Sequence, residues 1–326
     1  MSTHSINIVR IESMEPPHTA DTPSLVKVGA YTVCVRTGDF KVGDLAIFVE
    51  PDYAVPTTRP EFAFLGDGTG KPVRIKAKRL RGIVSYGLLI NIPDGMTAQE
   101  GDNVMEVLGI TRWEPPLPKC AFATDNVAAP RLYIPTYDME SFRKFPEEIG
   151  SSELVVLSEK IHGTSARYLW HNDHMWCSSH TRWKKKDEKC LWWQALAQNP
   201  WIETWCRQNP GKVLFGEVFG SNVQDLPYGL SRGKYAFAAF DVWSNMGWLS
   251  YDDAIATGKD VVGFTWVPIV YVGKLPSLEG MEAMADGDSM WPGANHFREG
   301  IVIQTTDGPP AVRSKLKLVG TRYLSR

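Results

Sequence analysis

The chain has 326 residues, 43% hydrophobic and 22% charged, with a formal net charge of −2. That length suggests two domains, and the composition is that of an ordinary globular protein. No apolar stretch reaches the roughly 18 residues of a membrane-spanning helix, the N-terminus lacks a basic-then-apolar signal pattern, and five scattered cysteines (Cys34, Cys120, Cys177, Cys190, Cys206) suit free thiols in a reducing cytosol better than a disulfide framework.

Residues 1–110 are expected to be all-β. Short alternating runs recur at Ser5–Ile11, Leu25–Val28, Tyr31–Val35 and Leu45–Val49, separated by turn chemistry at Gly38-Asp39, Gly43-Asp44, Gly66-Asp67-Gly68 and Pro93-Asp94-Gly95. Val73–Lys78 alternates strictly, and Ser85–Ile90 follows as another strand. A barrel of about five strands, of the OB type, fits this pattern and would suit nucleic acid. A β domain that merely steadies its neighbour would fit as well. Lys71–Arg81 carries six cations and no acid, Val312–Arg326 is likewise basic, and Lys184-Lys185-Lys186 lies between. Such clusters suggest a phosphate-binding surface, although each alone could be a solvated face. Residues 111–150 hold Pro115-Pro116-Leu117-Pro118, Pro130, Pro135 and Pro146, and are expected to cross between domains.

The second domain, 151–326, has a mixed pattern. Leu154–Leu157 and Arg167–Trp170 are expected as strands flanking Glu159-Lys160-Ile161-His162-Gly163-Thr164-Ser165. That places Lys160 at a strand end. A lysine nucleophile must first lose its proton, which desolvation and neighbouring cations favour. Alone, the heptapeptide also suits a surface hairpin with a solvated lysine. Met175–Ser179 should be a strand, Asp187–Gln198 a helix, and Asn199-Pro200 the start of a second helix ending at Asn209-Pro210-Gly211. Trp192, Trp193, Trp201 and Trp205 are expected to form the apolar side of these helices. Val213–Gly220, Tyr235–Trp243 and Phe297–Ile303 are apolar strands with embedded acids, Glu217, Asp241 and Glu299. A buried acid needs a partner or a ligand. Ala311–Leu318 alternates, so Arg313, Lys315 and Lys317 share a face that could hold a triphosphate. His171, His174, Cys177 and His180 have the look of zinc spacing, but Cys177 and His180 have opposite strand parity.

In this order the pieces resemble the six motifs of the covalent nucleotidyltransferases: DNA ligases, RNA ligases and mRNA capping enzymes. Lys160-Ile161-His162-Gly163 resembles the motif whose lysine becomes adenylated, and His162, where DNA ligases usually carry Asp, is similar to RNA ligases of the phage RNA ligase 2 kind. Arg182, Glu217, Phe240, Glu299 and the pair Lys315 and Lys317 match the later motifs. The N-terminal half is similar to the OB domain of Deinococcus-type RNA ligases. The chain stops soon after Lys317, leaving no expected room for the C-terminal OB domain of DNA ligases.

The resemblance implies an α+β architecture: an N-terminal OB-type β-barrel followed by a mixed antiparallel-sheet, ATP-grasp-like nucleotidyltransferase domain. It implies a cytoplasmic monomer, with no membrane contact, that joins RNA 3′-OH and 5′-phosphate ends, nicked duplexes included. ATP is the implied substrate, Mg²⁺ or Mn²⁺ the metal and Glu299 its ligand. Lys160 would carry AMP, Glu159 would recognise adenine, Glu217 the ribose hydroxyls and Phe240 the adenine face, with Phe237 an open alternative. Arg182, Lys315 and Lys317 would contact phosphate, and His162 would act after lysine adenylation. A DNA ligase, a capping-type enzyme and a non-catalytic RNA-binding protein are the rival readings.

Overall fold

The computed structural model describes residues 4–16, 23–113, 125–150, 153–220, 222–306 and 314–326. The chain divides into two compact units. One comprises Met1–Glu114, Glu140–Glu147 and Thr321–Arg326, and the other Pro115–Met139 and Glu148–Gly320. Residues 125–139 of the expected crossing segment thus belong with the second unit, whereas Pro115-Pro116-Leu117-Pro118 lies outside the described residues.

The first unit is built from short antiparallel strands. Leu45–Val49 pairs with Ile8–Arg10 and Leu88–Asn91; Ser24–Val28 pairs with Ser13–Glu15 and Tyr31–Val35; Tyr53–Val55 pairs with Val73–Arg74 and Thr111–Arg112. Ile6, Ile8, Ile47, Val49, Val55 and Phe62 fill its core. Alternation in 73–78 survives in the burial of Ile75 and Ala77, but the strand is only Val73–Arg74. Beyond it Ile75 still bonds to the backbone of Tyr53 and Asp52, and the Ala77 N–H then donates to the carbonyl of Leu324 in the terminal helical turn, not to a strand. Arg74 is fastened to Asp52 at 2.6 Å and lies over the Trp113 ring.

The second unit carries two antiparallel sheets. In the first, the strands of this unit run in the order Lys315–Val319, Gly300–Thr305, Leu154–Lys160, Ile269–Lys274. One of its faces is apolar: Val155, Leu157, Ile301, Ile303, Leu316 and Leu318 are all buried. The second sheet runs His174–Ser178, Thr164–His171, Val213–Gly220, Tyr235–Ser244, Gly247–Trp248. Its outer face is covered by helices Leu191–Gln198 and Trp201–Gln208, which bury Trp192, Trp205 and Ile202 against Leu214, Phe237 and Val242. The first of these helices begins later than its pattern suggests. Asp187 turns back instead, its carboxylate taking the Lys189 N–H at 2.7 Å. Two further helices, Tyr251–Ala256 and Leu278–Ala285, start at Ser250 and Ser277, whose hydroxyls accept N–H bonds from the first turn.

Among the described residues no helix is long and apolar enough to cross a membrane.

Candidate active site

Strand register places the lysine. Lys160 ends its strand opposite Gly300, and Gly300 pairs in turn with Val319. Residues opposite one another in a ladder share a face, and so do residues two apart on one strand. Lys160, Lys315 and Lys317 therefore project from the same side of the first sheet. Glu299 precedes Gly300, and its Oε1 lies 2.6 Å from Lys160 Nζ. Three residues after the lysine, Gly163 leads into the second sheet, where Ser165 pairs with Glu217. A side chain at Gly163 would meet the Val218 carbonyl oxygen at 2.3 Å and Glu217 Cγ at 3.0 Å. The turn must be glycine so that the two sheets can bring Lys160 and Glu217 together. Gly163→Ala should cost roughly 2 kcal/mol or more by overpacking against backbone. The check is a thermal melt, in which an unchanged midpoint would contradict this close approach.

His162 is buried between two carboxylates, with Nδ1 3.1 Å from Glu299 Oε2 and Nε2 2.9 Å from Asp225 Oδ1. Its backbone N–H donates to the Tyr228 hydroxyl at 2.7 Å. Burial alone would push the Glu299 carboxyl up, but Lys160 and His162 beside it override that and hold it at about 2. Glu217 shows the reverse balance. Burial pushes it up to about 8, the Glu299 charge adds to the rise, and Lys160 and the Gly163 N–H oppose it. One acid of the pair is thus anionic and the other readily protonated, the division that neighbouring carboxylates reach when they share a cation.

Glu217 therefore destabilises the fold as pH rises, because the folded chain retains a proton that the unfolded chain releases. The window runs from the ordinary 4.5 to about 8. Glu217→Gln is expected to raise the melting temperature, by a gain that grows across that window and levels off above it. At pH 8.5 a gain of roughly 5–10 °C is expected. A constant difference at all pH values would contradict it.

Phe240 and Asp241 reach the inner face of the second sheet together. A bulge opposite Phe215 and Gly216 permits this, since both flanking residues, Ala239 and Val242, face the helices. Asp241 is 1% exposed and holds Lys315 Nζ at 2.9 Å. Tyr137, from the expected crossing segment, donates no structure to either sheet yet meets the same lysine: its hydroxyl is 2.6 Å from Lys315 Nζ, and its ring lies 4.7 Å from Phe240. Phe237, the alternative stacking residue, is buried on the helix-covered face against Tyr168 and Trp201, which leaves Phe240 as the aromatic on the lysine side.

Glu159 is the residue expected to recognise adenine. Glu159 pairs with Ile301, which places it on the apolar face, opposite to Lys160. Its carboxylate accepts bonds from the Ser289 hydroxyl at 2.6 Å and the Met290 N–H at 2.7 Å. Burial pushes its pKa up, against those two bonds and the nearby Arg298. It anchors the 289–290 segment. Arg182 sits in an exposed turn closed by its own N–H on Ser179, and no contact among the described residues joins it to the Lys160 cluster. Arg313 lies outside the described residues. The zinc pattern does not converge: Cys177 is buried among the helices, His180 bonds the Tyr137 carbonyl and His174 the Asn172 carbonyl.

Asp225, Tyr228, Tyr137 and Asp241 were not singled out by the sequence as site residues. Asp241 alone carried a signal, an acid within an apolar strand. The others lie in segments without periodicity.

The family model described as RNA ligase matches residues 153–319, and a second, described as an OB-fold domain, matches residues 5–92. No curated protein matches by sequence. Among solved structures, a mutant of Naegleria gruberi RNA ligase with ATP and Mn is 25% identical, with a TM-score of 0.85 over 99% of this chain and 98% of that one. The same ligase with PPi is 25% identical, with a TM-score of 0.83 over 98% of this chain and 97% of that one.

Proposed function

The chain belongs to the RNA ligase family, and we propose that it uses ATP to join an RNA 3′-hydroxyl to an RNA 5′-phosphate through a lysyl-AMP at Lys160. What supports this reading most is the cluster of Lys160, Glu299, His162 and Glu217, gathered at one strand end within the matched region. The similarity to a ligase solved with ATP and Mn supports ATP as the substrate and a divalent cation as its companion.

Three displacements follow. The Lys160 nitrogen attacks the α-phosphorus of ATP, a nitrogen–phosphorus bond forms, pyrophosphate leaves, and the ammonium proton must already have gone. An oxygen of the RNA 5′-phosphate then takes the AMP, and Lys160 leaves with a proton. Finally the RNA 3′-oxygen attacks the activated 5′-phosphorus, losing its proton as AMP departs. Such chemistry depends on positioning and charge stabilisation.

Lys160 must leave its ion pair with Glu299 before its lone pair is available. Glu217 accepts from the ribose hydroxyls, Phe240 stacks on adenine, and Lys315 and Lys317 neutralise the α-phosphate. Lys315 is already fixed by Asp241 and Tyr137 on the face it shares with Lys160. Arg182 meets phosphate from its exposed turn. His162 acts in the steps that follow lysine adenylation.

Glu299 stays anionic to low pH, as a ligand for Mg²⁺ or Mn²⁺ must. Among the described residues no three acids or imidazoles form a ready cation cage. Such an ion would therefore complete its shell with phosphate oxygens and water, the usual habit of Mg²⁺. When bound, it would supply charge neutralisation at phosphate.

The test is a sealing assay with ATP and Mg²⁺ or Mn²⁺ on nicked duplexes whose 3′-OH strand is RNA or DNA, alongside single strands. Sealing of the RNA strand is expected, and the protein is expected to act as a monomer. Sealing confined to DNA would favour a DNA ligase, label taken only from GTP a capping-type enzyme, and RNA binding without nucleotide transfer a non-catalytic protein.

A further inference from the structure

Between strands Val213–Gly220 and Tyr235–Ser244 the chain makes a compact excursion that grips His162 twice. Tyr228 is fully buried, and its hydroxyl accepts the His162 backbone N–H. Asp225 takes the ring, its Oδ1 2.9 Å from Nε2. The two residues differ in one respect. Tyr228 packs in an apolar cluster with Leu226, Phe219 and Ile161, whereas the Asp225 side chain is 64% exposed. An exposed acid would ordinarily swing in water. This one is held at both sides by buried neighbours, Val223 and Leu226, which are 2% and 5% exposed.

The other edge of the imidazole meets Glu299, the carboxylate that also holds Lys160. Lys160, Glu299, His162 and Asp225 thus form one hydrogen-bonded line from the nucleophile to the protein surface. A ring held at one nitrogen alone can rotate about its bond to Cβ. A ring held at both nitrogens cannot do so without breaking a bond.

We propose that Asp225 is a positioning residue. It fixes the His162 ring against Glu299 so that the imidazole is correctly placed when AMP passes from Lys160 to the RNA 5′-phosphate. This rests on the ligase reading above and deepens it. Asp225 itself touches no reacting atom. Its effect passes through His162, so it should matter to the steps His162 serves and vanish when His162 is absent.

The experiment separates the steps. Full-length protein is first charged with AMP from tagged ATP, excess ATP is removed, and a nicked duplex with a 5′-phosphorylated RNA end is added. Asp225→Ala and Asp225→Asn are expected to slow transfer of AMP to RNA by roughly 10- to 100-fold, as loss of a ring-orienting carboxylate does elsewhere. The loss should fall on that transfer far more than on lysine charging. Asp225→Glu, which keeps a carboxylate, should recover part of the rate. His162→Ala with Asp225→Ala should be no slower than His162→Ala alone. Transfer at the wild-type rate in both the alanine and asparagine variants would overturn the proposal. So would a double variant slowed by the product of the two single effects. The near-isosteric asparagine variant guards against a folding defect in the alanine one, and a melt checks both. If wild-type protein never charges or never transfers, the ligase reading fails, which is a different outcome from failure of Asp225.

Discussion

Lys160→Ala is expected to lower covalent transfer of label from ATP tagged in its α-phosphate by roughly 10⁴-fold or more, as removal of a nucleophile does. No other described lysine of the site is placed to replace it. Lys315 is bound to Asp241 and Tyr137. Lys317 shares the face but lies two residues along the adjacent ladder, opposite Val302. Lys160→Arg should fail as completely, since a guanidinium cannot give up its proton in a protein. The fold should tolerate both changes, because the lysine side chain is 23% exposed at a strand end. ATP binding should persist and sealing of ordinary 5′-phosphate ends should vanish. A nicked duplex whose 5′ end already carries AMP should still be sealed, because the last displacement does not use the lysine nitrogen. Retained labelling of Lys160→Ala would refute the assignment.

Glu299→Gln should produce the second large loss, roughly 10²- to 10³-fold in lysine adenylation, the scale for removing one preorganised charge from a transition state. Glu299 touches both Lys160 and His162. Glu217 also feels the Lys160 charge. The Glu299 charge helps to push Glu217 up, so without it the Glu217 carboxyl should ionise at lower pH. The variant should therefore shift the pH dependence of stability as well as lose activity. Wild-type rates of adenylation in Glu299→Gln would contradict its role. So would an activity loss with no change in how stability depends on pH.

The strands of the second unit could be read from alternation and from glycine punctuation. Val213–Gly220 matches its expected bounds, Tyr235–Ser244 runs one residue past them, and Leu154–Lys160 runs three residues past the expected Leu154–Leu157. Alternation also placed Lys315 and Lys317 on one face, which the ladder to Gly300 and Lys160 extends to the nucleophile. At Glu159 alternation already separates the side chain from Lys160. Motif order grouped that residue with Lys160, but adjacent strand residues face opposite ways, and here the difference of one position sends the carboxylate to Ser289. Tyr137 and Asp225 left no trace in the pattern. Each lies outside a strand or helix, and each reaches its partner across a sequence gap that only tertiary packing closes: 178 residues from Tyr137 to Lys315 and 63 from Asp225 to His162.

The central claim is that one nitrogen, Lys160 Nζ, becomes bonded to AMP. It is tested most directly by incubating wild-type protein with ATP and Mg²⁺ or Mn²⁺, digesting it under non-acidic conditions and mapping adducts by peptide mass. A single AMP on the peptide containing Lys160 is the predicted result. An AMP on the Lys315 and Lys317 peptide instead, or an unmodified Lys160 in protein that seals RNA, would contradict it.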